Sequence, residues 1–359
     1  MEKEEAKRYE RHLNLPNFSL NHQHRLKQAK VLVIGAGGLG APLLQYLVAA
    51  GVGTIGIVDF DRVEESNLHR QILFGDEDLG KLKVKTAAEK LKRQNPYVNI
   101  IEFPLKLDSS NALEIISNFD IVADGSDNFP TRYLVNDACV INNKTNVYAS
   151  IFRFEGQVSV FNFNGSFSNP NYRDLFPNPP LPGSVPNCAE AGVLGVLPGI
   201  IGAMQANEVI KVITGIGVPL VGKLFLFDAF SMQSRTINIK LDKVRKKINS
   251  LIDYDEFCGV KPNKNDSIST SELKKWIETE YPFFMIDVRD EHEHEIKSIS
   301  GLNIPLKKLE ERINEIPKGV EVVFYCQVGS RSLQALQIIK QKRPNQKFLN
   351  LEGGCSNWD

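Results

Sequence analysis

The chain has 359 residues, 42% of them hydrophobic and 24% charged, with 43 basic residues against 43 acidic ones. That length points to two domains, and the even charge leaves no basic surplus for nucleic acid. No run of about 18 apolar residues offers a membrane span, and the charged stretch Met1-Glu-Lys-Glu-Glu has no apolar signal core, so the cytoplasm is the expected compartment.

Residues 5–30 read as a polar, helical, cationic arm carrying Arg8, Arg11, His12, His22, His24 and Arg25, whose plain reading is a solvated helix face. Val31 to Ile34 is an apolar run of the kind buried in a parallel sheet. Gly35, Gly37 and Gly40 follow with the spacing G-x-G-x-x-G and open a helix through Leu43, Leu44, Leu47 and Val48. Such glycines permit a tight turn and let a phosphate approach backbone N–H groups at a helix N-terminus. A second strand, Thr54 to Val58, ends at Asp59, placed to hold a ribose hydroxyl. A tight turn without a ligand would need the same glycines. Strand, glycines, helix, strand and acid in this order favour a nucleotide, and the glycines alone leave NAD, FAD and ATP open.

Asp59 to Gln71 is too polar for a core and lies beyond a strand's carboxyl end, where open parallel sheets bind ligands. Residues 80–95 read as an amphipathic helix. Lys83 and Lys85 near its start belong to a solvated face unless one of them points at a phosphate. A strand at 99–103, a helix at 112–117 and a strand at 121–123 lead to Asp124-Gly-Ser-Asp127-Asn128. Parallel strands deliver their ends to one edge, so Asp127, Asp59 and the glycine loop should converge. A carboxylate beside phosphates calls for a cation, which points to magnesium; a helix N-cap at Asp127 or Asn128 is equally sound. A helix at 133–142, strands at 147–150 and 157–162, a proline-rich loop at 164–190, a helix at 195–214 and strands at 223–228 and 235–239 complete this part. Loops of that length are usually functional or mobile. Cys188 ends it, either as a small buried hydrophobe or as a thiol with a lowered pKa near a helix start.

Polar, lysine-rich residues 240–270 read as a connection, with the linker at 246–266 between a first domain over 1–245 and a second over 267–359. The second pattern runs helix 271–280, strand 283–289, strand 321–325, helix 332–340 and strand 347–351. Cys326 lies between strand and helix, where N–H groups and a positive helix end stabilise a thiolate or persulfide. Arg331 adds a fixed charge. Five cysteines, an odd and scattered set, read as free thiols: Cys139 falls in an apolar helix and reads as core, and Cys355 has no positional argument.

These residues together resemble a known superfamily, the ubiquitin-activating-enzyme-like adenylyltransferases of the molybdopterin-synthase and thiamine sulfur-carrier branch. The resemblance rests on the glycine loop, Asp59-x-Asp61-x-Val63, Ser66-Asn67-Leu-x-Arg70-Gln71, Lys83, Asp124-Gly-Ser-Asp127-Asn128, Thr131-Arg-Tyr-Leu-Val-Asn-Asp137 and Cys188-Ala-Glu-Ala-Gly to Pro198. It implies ATP and Mg2+ rather than NAD, and adenylylation of the C-terminal glycine of a ubiquitin-like sulfur-carrier protein ending in Gly-Gly. By resemblance Gly38 meets the nucleotide, Asp59 holds the ribose, and Ser66, Asn67, Arg70 and Lys83 handle the triphosphate. Asp127 binds magnesium with Asn128 beside it, and Arg11 enters the partner's site in a homodimer. Asp61 and Gln71 are carried in the same motif.

Residues 267–359 resemble a rhodanese domain, through Ile286-Asp-Val-Arg289, Gly301 to Pro305, the Cys326 to Arg331 loop and Leu351-Glu-Gly-Gly354. The implied fold is a Rossmann-like α/β adenylyltransferase domain followed by a small α/β rhodanese domain. The implied chemistry is a Cys326 persulfide, loaded by a donor such as a cysteine desulfurase, that attacks the acyl-adenylate. Cys188 aligns with a cysteine assigned to a covalent or resolving role. Relatives usually hold a structural zinc on two C-x-x-C pairs. Here those positions carry Asn171, Asp174, Asp255 and Cys258, so no zinc is expected. Gln327 and Val328 replace a cation and a hydroxyl, leaving Arg331 as the only loop charge and free-thiosulfate activity in doubt. The alternatives are the same adenylation serving another sulfur metabolite, or a protein that binds carrier and nucleotide without turnover.

Overall fold

A computed structural model describes residues 3–180, 191–241, 245, 247–261 and 264–358. It divides into two compact units, one built from residues up to Asn178 and from the stretch ending at Ile252, the other from Asp253 onward together with Pro179 and Pro180.

The first unit begins with three short helices, α1 (Lys3–Arg8), α2 (Glu10–Leu13) and α3 (Leu20–Gln28). The cationic arm is thus broken, where Pro16 interrupts the helix and Asn17 adopts a positive φ of 72°. The sheet strands are β1 (Lys30–Ile34), β2 (Thr54–Val58), β3 (Asn99–Phe103), β4 (Ile121–Asp124), β5 (Thr145–Phe152), β6 (Glu155–Phe161), β7 (Lys223–Asp228) and β8 (Gln233–Asn238). They lie in the order β3-β2-β1-β4-β5-β6-β7-β8. Pairings from β3 through β5 are parallel, and those from β5 to β8 antiparallel. Apolar residues supply the reason: the β1 core Val31–Ile34 is buried, as expected of a strand covered on both faces.

The helices are α4 (Gly40–Ala50), α5 (Lys83–Gln94), α6 (Ala112–Ser117), α7 (Phe129–Ile141), α8 (Tyr172–Leu175) and α9 (Leu197–Thr214). Helices α5, α7 and α9 begin elsewhere than the pattern predicts, α9 two residues late at Leu197. Helix α7 starts four residues before 133, because the Asn128 side chain accepts the Thr131 N–H at 3.0 Å and Pro130 occupies the first turn. Helix α5 starts at Lys83, because Leu82 is held in an antiparallel bridge to Arg62. Helix α9 packs against α4, β5 and β6, with Leu197 and Ile201 in an apolar cluster with Leu39, Ala149 and Val158.

The second unit contains α10 (Tyr254–Phe257), β9 (Ser267–Ile268), α11 (Thr270–Glu278), β10 (Phe283–Asp287), α12 (Glu291–Ile296), β11 (Leu302–Asn303), β12 (Glu321–Tyr325), α13 (Ser330–Lys342) and β13 (Phe348–Leu351). Its strands form a five-stranded sheet in the order β11-β10-β12-β13-β9, with parallel pairings. Alternation along β12 splits the core: Val322 and Phe324 join one apolar cluster, Val323 and Tyr325 the other. Helix α12, too short and too polar for periodicity to reveal, was not among the predicted elements. Among the described residues, no helix is long and apolar enough to cross a membrane.

Candidate functional site

The first unit's site forms where the strand order reverses between β1 and β4, the usual ligand crevice of an open α/β sheet. Gly35 turns the chain with φ +87°, and a Cβ there would lie 3.3 Å from the Gly125 carbonyl, so the loops after β1 and β4 abut. A Cβ on Gly40 would fall 1.9 Å from the Gly35 carbonyl; only glycine lets the helix start so close to the turn. Helix α9 backs the loop: a Cβ on Gly202 would meet the Leu39 carbonyl at 2.4 Å, and one on Gly38 would meet Pro198 at 3.1 Å and Arg70 at 3.6 Å. Gln205, fully buried, ties α9 to the sheet by donating to the Asp124 and Val147 carbonyls at 2.8 and 2.9 Å.

The acids and cations gather on this crevice. Asp59 accepts the N–H of Ala36 and of Asp61, each at 2.8 Å, which joins the end of β2 to the glycine loop. Burial raises the Asp59 pKa above the ordinary carboxyl value, against the pull of those two donors and of Lys83. Asp61 pairs with Lys83 at 3.1 Å, and the Lys83 side chain is 7% exposed. Lys83 therefore leaves the solvated face that local pattern assigns it and lies inside the site, whereas Lys85 stays exposed. Arg70 donates to the Ser66 carbonyl at 2.8 Å, and Asn67 to the Ser66 hydroxyl at 3.3 Å. Gln71 is buried, and its Nε2 would lie 3.6 Å from a Cβ on Gly37. Residues 66–71 thus reach the glycine loop at both Gly37 and Gly38. Asp127 is exposed and accepts from Asn128 at 3.3 Å. Asn128 also caps α7, so the cap reading holds for Asn128 rather than Asp127. Arg11 is exposed on α2.

The strand-end motif contains Asp124 and Arg132, but local pattern does not show that both are buried. Asp124 is 1% exposed and burial raises its pKa. Its Oδ1 accepts the Ser126 N–H at 2.9 Å, while Oδ2 meets no partner. Arg132, also buried, donates to the Ser126 carbonyl at 3.3 Å, faces the Phe129 ring at 5.4 Å and leaves Nε unpartnered. The crevice thus fits a nucleotide and a cation. Its glycine turn excludes side chains, its cations lie beside the loop, and the carboxylates of Asp127 and of Asp61, the latter paired with Lys83, are open to solvent.

Cys326 in the second unit is buried at the end of β12. Its sulfur accepts the Gly329 N–H at 3.1 Å and the Ser332 hydroxyl at 3.5 Å. Burial pushes the thiol up, but these donors together with the Ser332 and Val328 N–H groups outweigh it, so its pKa lies below the ordinary thiol value. Ser332 is a sulfur ligand that the loop pattern did not single out. Arg331 is not a free charge: it forms a two-pronged pair with Glu293 of α12 at 2.6 and 2.7 Å. Cys139 is fully buried, and burial pushes its thiol well up, in keeping with a core role.

Of the positions compared with a zinc site, Asn171 caps α8 by accepting the Arg173 N–H at 2.8 Å. Asp174 pairs with Arg245 at 2.6 Å, with both side chains buried. In the second unit Asp255 pairs with Lys261 at 3.1 Å, and Cys258 is buried. Cys188 lies outside the described residues.

Fold and site define a nucleotide-using α/β enzyme with an appended thiol-bearing domain. The chain belongs to the ThiF family, which it matches over residues 9–248, and a rhodanese-like domain follows over residues 269–359. It is 45% identical to the probable adenylyltransferase/sulfurtransferase MoeZ of Mycobacterium tuberculosis, over 100% of this chain and 94% of that protein. It is 50% identical to the sulfur carrier protein adenylyltransferase of Thermus thermophilus, over 72% of this chain and 98% of that one. The adenylyltransferase and sulfurtransferase MOCS3 of Sus scrofa is 38% identical, over 100% and 86% of the two chains. Among solved structures, E. coli MccB with MccA-N7isoASN superposes with a TM-score of 0.61 at 23% identity, over 70% of this chain and 76% of that one, and shares the fold. The chain is thus an adenylyltransferase with a sulfurtransferase domain, and it uses ATP.

Proposed function

We propose that the crevice between β1 and β4 binds ATP with magnesium and activates the C-terminal glycine of a sulfur-carrier protein ending in Gly-Gly. One observation carries the reading: Asp59, the glycine loop, Arg70, the Asp61–Lys83 pair and the open Asp127 all gather on one end of the sheet. Asp59 holds the ribose. The backbone N–H groups of the glycine loop, at the N-terminal end of α4, face the phosphates together with Ser66, Asn67, Gln71, Arg70 and Lys83. Asp127, with Asn128 beside it, holds the magnesium ion, which neutralises phosphate charge.

The carrier's carboxylate attacks the α-phosphorus, the bond to the β-phosphate oxygen breaks, and pyrophosphate leaves. Charge grows on the leaving pyrophosphate, where fixed cations stabilise it most. The Cys326 persulfide then attacks the acyl carbon. AMP departs with the electron pair of its bond, and the carrier is joined to Cys326 through an acyl disulfide. A second thiol attacks the Cys326 sulfur, the bond to the acyl sulfur breaks, the carrier thiocarboxylate leaves, and a disulfide to Cys326 remains; this reading gives the attacking role to Cys188. A homodimer in which Arg11 enters the partner's site, a cysteine desulfurase as donor, a cytoplasmic setting in molybdopterin or thiamine biosynthesis, and the absence of zinc complete the reading. Functional boundaries at 1–245, 246–266 and 267–359 belong to it too.

The test is magnesium-dependent exchange of labelled pyrophosphate into ATP with candidate carriers ending in Gly-Gly. Exchange that requires one carrier supports the reading and names the pathway. Exchange with none of them removes it.

A further inference from the structure

The loop Cys326-Gln-Val-Gly-Ser-Arg331 contains a single cation, and that cation is already engaged. Arg331 gives Nη1 to Glu293 Oε2 at 2.6 Å and Nη2 to Oε1 at 2.7 Å, the arrangement in which a carboxylate grips a guanidinium most firmly. The side chains are 32% and 26% exposed, so water weakens the grip only in part. Arg331 holds the Glu293 carboxyl down at about 2, so the pair stays charged on both sides at neutral pH. The neighbouring Arg289 is matched as well: it pairs with Asp287 at 2.7 Å, and His294 adds a ring nitrogen to the same carboxylate at 2.8 Å. Asp290 contributes further negative charge felt by Arg331. Among the described residues, the sulfur is therefore cradled by N–H and hydroxyl dipoles, and the two guanidinium groups near it, Arg331 and Arg289, are each matched by a carboxylate.

A small dianionic donor needs such a cation twice, on arrival and when its leaving group takes the electron pair. A protein-borne persulfide needs neither. It needs surface, and exposed apolar side chains are present in the loop at Val328 and at the end of α12 at Ile296, 61% and 83% exposed.

We propose that Glu293 is the specificity-determining residue of the sulfur site: by holding Arg331 it closes Cys326 to thiosulfate-like dianions and reserves it for sulfane sulfur delivered on a protein thiol. Glu293 acts through Arg331 and is a positioning residue. The inference rests on Cys326 as the persulfide carrier.

The test uses the full chain and thiosulfate with cyanide. The Cys326 thiolate attacks the outer sulfur of thiosulfate, the S–S bond breaks, and sulfite leaves with the electron pair. Cyanide then takes the outer sulfur from Cys326 as thiocyanate and restores the thiolate. In Glu293→Gln, Arg331 is released and kcat/KM for thiosulfate rises at least tenfold, roughly the effect of one uncovered charge in a half-exposed site. The double variant Glu293→Gln/Arg331→Gln returns to the wild-type value, and ATP–pyrophosphate exchange is the same in all three. Glu293→Asp, which keeps the charge on a shorter stem, rises less than Glu293→Gln.

A Glu293→Gln rate at or below wild type overturns the proposal, provided iodoacetamide still alkylates Cys326 at the wild-type rate. Slowed alkylation in both Glu293→Gln and Glu293→Asp makes the pair a scaffold for the loop and overturns it equally. Mass spectrometry separates this from the underlying reading. If wild-type Cys326 gains no sulfur from a protein persulfide, both fall; if it loads normally while the thiosulfate rate ignores Glu293, only this proposal falls.

Discussion

Arg245→Met probes the contact that stands at a position compared above with a zinc site. In the native chain the Arg245 guanidinium meets Asp174 Oδ2 at 2.6 Å, with side chains 8% and 6% exposed. It also donates to the Phe167 carbonyl and lies 4.5 Å from the centre of the Phe167 ring. Methionine keeps the apolar contact with that ring but takes the cation from Asp174, which still accepts the Asn171 N–H at 2.8 Å. A buried carboxylate stripped of its cation costs about 3–5 kcal/mol. The retained ring contact favours the lower end. For a unit of this size that is a fall of about 10 °C in its melting transition.

Differential scanning calorimetry of the full chain reads the first unit. Both tryptophans, Trp276 and Trp358, lie in the second unit, so their emission follows that unit separately and should not move. Asp174→Asn/Arg245→Met removes both charges and should recover most of the loss, because no unpaired ion remains. An Arg245→Met transition within about 2 °C of wild type, less than 1 kcal/mol on the same scale, would refute the reasoning, as would a loss fully restored by added zinc.

Arg70→Ala and Asp127→Ala should each abolish carrier-dependent ATP–pyrophosphate exchange; exchange retained by either variant would remove that residue from the ATP site. Cys326→Ala should leave exchange intact and stop thiocarboxylate formation, and unchanged sulfur transfer, followed by mass spectrometry of the carrier, would show that Cys326 is not the persulfide site. Ser332→Ala should move the pH midpoint of Cys326 alkylation upward, since Ser332 is among the donors that hold the thiol below its ordinary value. A midpoint that stays or falls contradicts the hydrogen bond at 3.5 Å. Metal analysis of the purified chain should find well under one zinc per chain, and a stoichiometric zinc would sink the expectation drawn from Asn171, Asp174 and Asp255.

Much of the site was legible because its parts are local. Gly35, Gly37 and Gly40 follow a buried strand and precede a helix, and each of those facts is written within ten residues of the others. The same holds for Asp59 at the end of β2 and for Cys326 between β12 and α13. Lys83 was harder. Helical periodicity reports which face of α5 a residue occupies, but burial of that face against Asp61 depends on how residues 60–82 return to the helix, through the Arg62–Leu82 bridge. Asp124 and Arg132 were quoted in a motif, yet Arg132 lies over the Tyr148 ring and Asp124 pairs in register with Tyr148 on β5, neighbours that no short window of sequence contains.

Sequence by itself determined the strand-turn-helix units, the ends at which chemistry gathers, and the presence of one thiol in a short loop, because steric and hydrogen-bonding preferences of neighbouring residues dictate each of them. Tertiary structure alone decided which charges are free. Glu293 meets Arg331 across 38 residues, and Asp174 meets Arg245 across 71. A charge in sequence has a sign but no surroundings. Its effect depends on burial and on an opposite charge a few ångströms away, and both are set only when distant segments pack.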